Sequence, residues 1–301
     1  MGPFHARQRL GMERDHEARV FGHGLNFFHP ENWYAAHAIL ALLLKGVGLY
    51  WRGRRNAQAI RINRNTIVSP ALPAAFDGFS ILHLSDLHAD TNPETMFVMN
   101  RLLRGLDYRL CVLTGDYRGA THGTYDAVLR QLAEIRSHLG TEAYAVLGNH
   151  DTIEMVPGME AVGYRLLLNE SVAIEHDGAR IHLVGIDDAH YFRADNIEKA
   201  AAHIPHTEFS ILLSHTPEIY RQAAYSGFDV MLSGHTHGGQ ICLPGGIPLT
   251  LDSALPRYMG SGAWKYANML GYTSVGAGTS IVPVRINCPP EITLHELRRG
   301  Q

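Results

Sequence analysis

The chain has 301 residues, of which 46% are hydrophobic and 18% are charged, so it can form a large core and is not a disordered protein. Residues 1–70 carry ten Lys and Arg against four Asp and Glu, a balance of +6, and the remainder has a balance of −9 within the net charge of −3. The acidic remainder has only two lysines, Lys199 and Lys265, which disfavours a nuclease with a basic groove for DNA or RNA. The basic front end suggests either an anionic contact or a solvated tail. The three cysteines form no CxxC pair and demand no oxidising compartment.

The front of the chain contains one apolar segment. The residues before it are too polar for a secretory signal peptide, whereas Trp33 to Tyr50 reads WYAAHAILALLLKGVGLY and is close to the minimum length for crossing a bilayer. Aromatic residues flank it and Arg52, Arg54 and Arg55 follow, which is typical of a helix lying in a membrane surface. A spanning helix and a helix packed on the protein's own core are the alternatives. We therefore treat residues 1–70 as an N-terminal extension with an apolar helix, residues 33–50, and expect a cytoplasmic protein. A surface helix would place it on the cytoplasmic face of the inner membrane, and the two alternatives stay open.

Residues 71–301 alternate between short apolar runs and helical patterns, which predicts an α/β catalytic domain. A connector with two prolines, Asn65 to Phe76, precedes it. Helices are expected at Thr124–Leu139, at Asn196–His203 and from Thr216 to about Ala224, where a proline occupies the first helical position. Buried strands are expected at Ser80–Leu84, Leu110–Thr114, Ala143–Leu147, Ser210–Ser214 and Val230–Ser233, a hairpin at Val172–Glu175 and Ile181–Gly185, and further strands at Tyr272–Val275, Val284–Asn287 and Glu291–Leu297.

Each of the five buried strands is followed by side chains that bind metals. Any one of these clusters alone is usually a turn or a hydrogen-bonded histidine. Because the carboxyl ends of parallel strands open onto one crevice, five such clusters together predict a common metal site. In chain order they are Ser85-Asp86-Leu87-His88, Gly115-Asp116, Gly148-Asn149-His150-Asp151, His215 and Gly234-His235-Thr236-His237-Gly238-Gly239-Gln240.

The order SDLH, GD, GNHD, SH and GHTH resembles the calcineurin-like metallophosphoesterase superfamily from about Phe79 to Leu297. The signature GHTHGGQ and the closing NCPPEITLHEL resemble a bacterial branch of membrane-associated phosphodiesterases, which includes some UDP-2,3-diacylglucosamine pyrophosphatases. Another branch of such pyrophosphatases has Arg where this chain has His150, which counts against that branch. The resemblance implies a phosphoric ester hydrolase with an α/β fold, a four-layer αββα sandwich of two facing mixed sheets, to which the helical N-terminal extension is added.

The resemblance also implies a binuclear metal centre. Oxygen and imidazole ligands suit Mn, Fe or Zn, of which we favour Mn. Two such ions would share a water, lower its pKa and let the hydroxide attack phosphorus in line with the leaving oxygen. The implied ligands are Asp86, His88 and His237 for the first ion, Asn149, His215 and His235 for the second, and Asp116 as the bridge between both.

Two further residues are expected to take part in catalysis. His150 would protonate or stabilise the leaving alkoxide, and Asp151 would orient His150 and raise its pKa. The expected substrate is a phosphodiester or pyrophosphate, in particular a lipid-linked one such as UDP-2,3-diacylglucosamine. The alternative is a soluble phosphodiesterase or phosphomonoesterase that acts on nucleotides or other small molecules. The sequence predicts no oligomeric state.

Overall fold

The computed structural model describes residues 2–16 and 33–300. The helices in these ranges are α1 (Pro3–His16), α2 (Tyr34–Gly46), α3 (Leu49–Ala57), α4 (Pro93–Leu103), α5 (Asp126–His138), α6 (Val156–Ala161), α7 (Ile197–Ala201) and α8 (Tyr220–Tyr225). The strands are β1 (Arg61–Ser69), β2 (Ser80–Leu84), β3 (Leu110–Leu113), β4 (Ala143–Ala145), β5 (Tyr164–Leu166), β6 (Glu170–His176), β7 (Ala179–Gly185), β8 (Ser210–Leu213), β9 (Val230–Ser233), β10 (Cys242–Leu243), β11 (Ile247–Pro248), β12 (Gly262–Tyr266), β13 (Met269–Thr273) and β14 (Glu291–Arg299).

Two six-stranded mixed sheets face each other. The first has the order β1-β14-β2-β3-β4-β5 and the second the order β12-β13-β9-β8-β7-β6. Within them β2 to β5 run parallel to one another, and so do β7, β8, β9 and β13. The central strands are short and wholly apolar because both of their faces are covered: in β3, Leu110 and Val112 pack between the sheets, while Cys111 and Leu113 pack under the outer helices.

Helices cover the outside of both sheets. On the first sheet, α4, α5 and α6 contribute Met99, Leu132 and Met159 to one buried cluster, and α5 buries residues at helical spacing. On the second sheet, α7 and α8 contribute Ala200 and Ala223 to another. The predicted αββα sandwich with a helical N-terminal part is therefore confirmed.

The five buried strands predicted from the sequence are also confirmed, although three of them end slightly earlier than expected. The connector predicted at Asn65–Phe76 was wrong in its first half, because β1 pairs in parallel with β14 along its whole length. A strand at Val284–Asn287 was wrong as well, since only Ile286 makes an isolated bridge, to Ile241. The strand expected at Tyr272–Val275 lies earlier in the chain, as β13.

The apolar front segment forms two helices, because Gly48 adopts a left-handed φ of 73° between α2 and α3. One face of the pair packs on the protein, where Leu44 is buried against Val282, Val284 and Ile286. The opposite face, which includes Leu42 and Leu43, is exposed. Among the described residues, none of the helices combines the length and apolar character needed to cross a bilayer.

Helix α1 is docked on the body through a buried arginine. The Arg9 side chain is fully buried, with Nε 3.3 Å from the Asp187 carboxylate and Nη2 donating to the Asp151 carbonyl at 3.1 Å. Its guanidinium also lies 3.5 Å from the centre of the Phe192 ring. Part of the basic front end thus balances an internal acid, and both α1 and β1 belong to the folded body although they lie before residue 71.

Arg9→Met should lower the free energy of unfolding by about 3–5 kcal/mol, because it leaves the Asp187 carboxylate buried without its guanidinium partner. The exposed Arg7 of the same helix provides the control, and Arg7→Met should change stability by no more than about 0.5 kcal/mol. Urea denaturation of both variants measures the difference. Equal stabilities would mean that α1 is not docked through Arg9.

Candidate metal centre

The predicted ligands lie where strands end, on unusual backbone. Five of the seven have a φ in the left-handed region, namely Asp86 (50°), His88 (39°), Asp116 (55°), His235 (71°) and His237 (51°). Each such residue costs about 1–3 kcal/mol and persists only where its surroundings hold it in place. The backbone is therefore bent to aim these side chains into one crevice between the two sheets.

The first group of ligands contains Asp86, His88, Asp116 and His237, all buried. One ligand atom from each lies within 4.8 Å of the others. His237 Nε2 is 3.0 Å from His88 Nε2 and 3.4 Å from Asp86 Oδ1. Two carboxylates and two imidazoles at this spacing can surround one divalent cation.

The second group contains Asp116, His215 and His235, whose ligand atoms also lie within 4.8 Å of one another. Asn149 joins it, because its Oδ1 is 2.9 Å from His215 Nε2, and His215 Nε2 is 3.1 Å from His235 Nδ1. The structure thus brings together all seven residues that the sequence analysis named as ligands, in the two predicted sets.

Asp116 belongs to both groups. Its Oδ2 lies 3.7 Å from His88 Nε2 in the first and 3.4 Å from His215 Nε2 in the second. A single carboxylate oxygen at similar distances from both sets of imidazoles is what a bridging ligand requires.

Hydrogen bonds fix the orientation of the imidazoles. His88 Nδ1 donates to the Arg118 carbonyl at 2.5 Å and His215 Nδ1 donates to the Thr114 carbonyl at 2.8 Å. His235 is turned the other way, and its Nε2 donates to the Asp252 carbonyl at 2.7 Å. In each ring the remaining nitrogen faces the crevice, which is the usual support for a metal-binding histidine.

The protonation states also suit divalent cations. Burial lowers the pKa of His88 to about 4 and holds the pKa values of His235 and His237 well below the usual range, so these rings are neutral. Burial would lower the pKa of His215 as well, but the Asp116 carboxylate raises it to about 10. Burial raises the pKa of Asp86 to about 6. A divalent cation would replace the proton on His215 and stabilise both carboxylates as anions, so the residues present fit the metal ions implied by their chemistry.

A chain of hydrogen bonds that the sequence analysis missed supports the Asp86 carboxylate. Each group in the chain can donate a hydrogen bond to the next one. In this arrangement both buried histidines are neutral, and the chain is polarised toward the Asp86 carboxylate. Burial alone lowers the pKa of His83 to about 3, in agreement with a neutral ring. The chain runs from Asn65 to His295 (3.0 Å), His83 (3.2 Å), Thr114 (2.8 Å), Ser85 (2.7 Å) and Asp86 (2.5 Å).

His150 lies at the edge of the cluster. Its Nε2 is 3.9 Å from Asp116 Oδ2, and its backbone N–H donates to Asp116 Oδ1 at 3.0 Å. Its Nδ1 donates to the Gly119 carbonyl at 2.9 Å. The side chain therefore presents Nε2 to the site while a backbone carbonyl sets the angle of the ring.

The prediction that Asp151 orients the His150 imidazole was wrong, because the Gly119 carbonyl holds that position. The Asp151 carboxylate instead accepts backbone N–H groups from Asp116 (2.8 Å), Tyr117 (2.9 Å) and Gly148 (2.9 Å). It joins the loop after β3 to the loop after β4, and so holds the bridging ligand in its left-handed conformation. Asp151 is a positioning residue for the metal centre.

Arg285 is a second residue that the sequence analysis missed. It is fully buried, and its guanidinium donates to the carbonyls of Val275, Gly276 and Gly278 and lies 3.1 Å from His237 Nδ1. It holds the irregular segment after β13 against the His237 ring. The sequence analysis expected a strand at Val284–Asn287 and therefore gave Arg285 no role at the site.

Two glycines of the motifs are required by close packing. A Cβ on Gly148 would overlap the Asp116 carboxylate, and a Cβ on Gly234 would overlap the side chains of Ser85 and Asp86. The glycines that precede Asn149 and His235 therefore let one ligand loop approach another.

Comparison with known proteins agrees with this geometry. Residues 79–239 match the calcineurin-like phosphoesterase family, a range that contains all seven candidate ligands and His150. The chain is 30% identical to the Bacillus subtilis metallophosphoesterase YkoQ over 85% of this chain and 97% of that protein. It is 28% identical to the Escherichia coli phosphodiesterase YaeI over 73% of this chain and 82% of that protein. A transmembrane protein with a metallophosphoesterase domain from Bos taurus is 30% identical over 74% of this chain and 53% of that protein.

Asp116→Asn should lose both bound metal and activity, because a neutral amide cannot balance the charge of two cations. Elemental analysis of the purified variant measures the metal content. Asp229→Asn is the control, since the Asp229 carboxylate accepts a backbone N–H from Ser210 in the second sheet and touches no candidate ligand. Two metals per chain with intact activity in Asp116→Asn would rule out the bridging role.

Proposed function

The chain belongs to the calcineurin-like phosphoesterase family, and on this premise we propose that it cleaves a phosphodiester or pyrophosphate bond in an amphiphilic, lipid-linked substrate. Membership makes it a metallophosphoesterase, which is a phosphoric ester hydrolase that uses divalent metal ions. The proposal concerns the substrate, the identity of the ions and the place where the enzyme acts.

One observation carries the choice of substrate. A cavity of about 300 Å³ opens beside the metal centre, and Asp116, His150 and His235 line its inner end. Most of the exposed surface of its remaining wall is apolar and comes largely from Leu40, Ile241, Leu249, Ile281 and Val282. Polar residues also line it, namely Thr236, Gln240, Thr250, Asp252 and Ser280. A small polar phosphoester would leave the apolar part of this wall without a partner, whereas an alkyl chain next to a phosphodiester would cover it.

The chemistry follows from the positions of the side chains. Two divalent ions, when bound, supply Lewis acidity toward the phosphoryl oxygens and activate the attacking water. The proposed ligands are Asp86, His88 and His237 for one ion, Asn149, His215 and His235 for the other, and Asp116 for both. Oxygen and imidazole donors without thiolates fit Mn, Fe or Zn, and we favour Mn.

His150 is proposed to act on the leaving group. The Gly119 carbonyl accepts from Nδ1 whether the ring is neutral or charged, so proton exchange with the substrate takes place at Nε2. That atom faces both Asp116 and the cavity, which allows it to donate a proton to the departing alkoxide.

The proposed place of action is the cytoplasmic face of the inner membrane. The exposed face of α2 carries Ile39, Leu42, Leu43 and Val47, which are each more than half exposed, and it lies on the helix that contributes Leu40 to the cavity. Apolar side chains followed by arginines are suited to an anionic bilayer surface. The name of the Escherichia coli relative supports phosphodiester cleavage, and the name of the Bos taurus relative supports an association of this domain with membranes.

His150→Ala should retain both metals and lower kcat by roughly 10²–10⁴-fold for substrates with an alkoxide leaving group. The loss should be much smaller for p-nitrophenyl phosphodiesters, because p-nitrophenolate leaves without a proton. Asp151→Asn provides the contrast: it weakens the joint between two ligand loops, so both substrate types should lose activity together and the protein should unfold more easily. Equal losses on both leaving groups in His150→Ala would contradict the acid role.

A series of p-nitrophenyl alkyl phosphodiesters with methyl, hexyl and dodecyl groups tests the substrate class. We expect kcat/KM to rise by up to about fourfold for each CH₂ that enters the cavity, and to level off once the cavity is filled. Leu249→Ser, in the cavity wall, should flatten the dependence, whereas Tyr225→Ser, at an exposed surface position on α8, should leave it unchanged. Rates that are independent of chain length would favour the alternative, a phosphoesterase of nucleotides or other small polar molecules.

A further inference from the structure

We propose that the two-stranded ribbon β10–β11 and Ile281 form, with the exposed face of α2 and α3, one docking rim that seats the mouth of the metal-site cavity on an anionic lipid bilayer. In this arrangement the substrate passes from the bilayer directly into the cavity. The inference rests on the proposed lipid-linked substrate, but it adds a second, separate part of the chain to the membrane contact.

The ribbon has one apolar face that points away from the protein. Leu243 pairs directly with Ile247, so these two side chains lie on the same face of the ribbon, and Leu249 follows Ile247 by two residues. They are 49%, 55% and 58% exposed. The opposite face, with Cys242 buried and Pro248 half-buried, rests on the body.

The ribbon and the helix pair flank the same opening, although some 200 residues separate them in the sequence. The cavity wall contains Leu40 from α2, Ile241 and Leu249 from the two ends of the ribbon segment, and Ile281. Leu40 and Ile241 also pack against one buried cluster around Leu44. The two exposed apolar faces are therefore joined at the cavity mouth.

Exposed apolar residues are concentrated at this mouth. Large hydrophobic side chains scattered singly over a surface are ordinary, whereas a continuous group indicates a contact surface. Of the sixteen exposed large hydrophobic residues in the described ranges, ten lie in the elements of the docking rim or directly next to them in the chain. These ten are Trp33, Ile39, Leu42, Leu43, Val47, Trp51, Leu243, Ile247, Leu249 and Ile281.

Charged and aromatic residues at the edge of the rim favour a bilayer as the occupant. Lys45, Arg52 and Arg55 are exposed on the helix side, and the exposed Arg257 donates to the Pro248 carbonyl on the ribbon side. Tyr258 beside it is 62% exposed. Cations and aromatic rings around an apolar surface match the headgroup layer of an anionic membrane. Of the acids in this area, Glu94 pairs with Arg54 and Asp252 lies in the cavity wall, so neither removes the positive edge.

The geometry also orders the substrate. Asp116 and His235 in the cavity wall are buried, whereas Leu249 and Ile281 are exposed, so the metal ligands lie at the inner end and the apolar rim lies at the mouth. An amphiphile whose tail remains in the bilayer would thus bring its phosphodiester to Asp116 and His150 without leaving the apolar wall. An enzyme docked by α2 alone would hold one side of this opening in water.

Vesicle sedimentation of the full chain with phosphatidylcholine vesicles that contain phosphatidylglycerol tests the docking rim. The double variant Leu243→Glu, Ile247→Glu, which changes no cavity-lining residue, should lower partitioning by at least about tenfold, as should Leu42→Glu, Leu43→Glu. The matched control is Val68→Glu, Tyr225→Glu, two exposed apolar positions outside the rim, and it should bind within twofold of the unmodified protein. All three should cleave bis(p-nitrophenyl) phosphate at the unmodified rate.

A labelled variant gives a second measurement that does not depend on added charge. A nitrobenzoxadiazole label on Leu243→Cys should shift its emission to the blue with these vesicles, whereas the same label on Val68→Cys should not; the native cysteines are buried. Ribbon variants that bind like the unmodified protein, together with an unshifted label at position 243, would overturn the docking rim even if α2 variants lose binding. If the unmodified, metal-loaded protein does not cleave bis(p-nitrophenyl) phosphate, the proposed function itself would be overturned.

Discussion

The site depends on one carboxylate, Asp116, being shared by imidazoles that come from two different sheets. His88 follows a strand of the first sheet and His215 follows a strand of the second, and Asp116 Oδ2 lies within 3.7 Å of the nearest nitrogen of each. A buried charge of this kind is tolerated only with an opposite charge beside it. Parallel strands in both sheets end at the same crevice, so the sandwich itself fixes the spacing at which two cations can share the bridge.

Holding that spacing requires backbone conformations that are unfavourable by themselves, and the surrounding hydrogen bonds stabilise them. The Asp151 carboxylate accepts backbone N–H groups from the loops after β3 and β4, and the Arg285 guanidinium donates to backbone carbonyls behind His237. The donor chain that ends at Asp86 runs through His83 and His295 on two paired strands. These hydrogen bonds position the ligands without an ion, which would reduce the entropy lost when one binds.

The metal ligands could be predicted from the sequence, whereas the residues that support them could not. The five buried strands, the sandwich and the two ligand sets were predictable, because each ligand stands directly after an apolar run and the order of motifs is specific. The roles of Asp151, His83 and Arg285 were not, since they depend on which backbone atoms distant loops bring near each side chain. Strand β1 was missed for a related reason: its sequence RINRNTIVS is largely polar, and its pairing with β14 joins the two ends of the body.

The arginines of the basic front end lie in two different environments, which its net charge alone does not distinguish. Arg9 forms an ion pair with Asp187 inside the protein and joins α1 to the loop that carries Asp151. Arg52 and Arg55 of α3 are exposed, and in the proposed docking they would face the anionic surface. Because the remainder of the chain has a balance of −9, an anionic surface would repel most of the protein and attract only the face that carries these cations. Electrostatics would therefore select the orientation, and burial of the apolar rim would supply the affinity that holds the cavity mouth against the lipid.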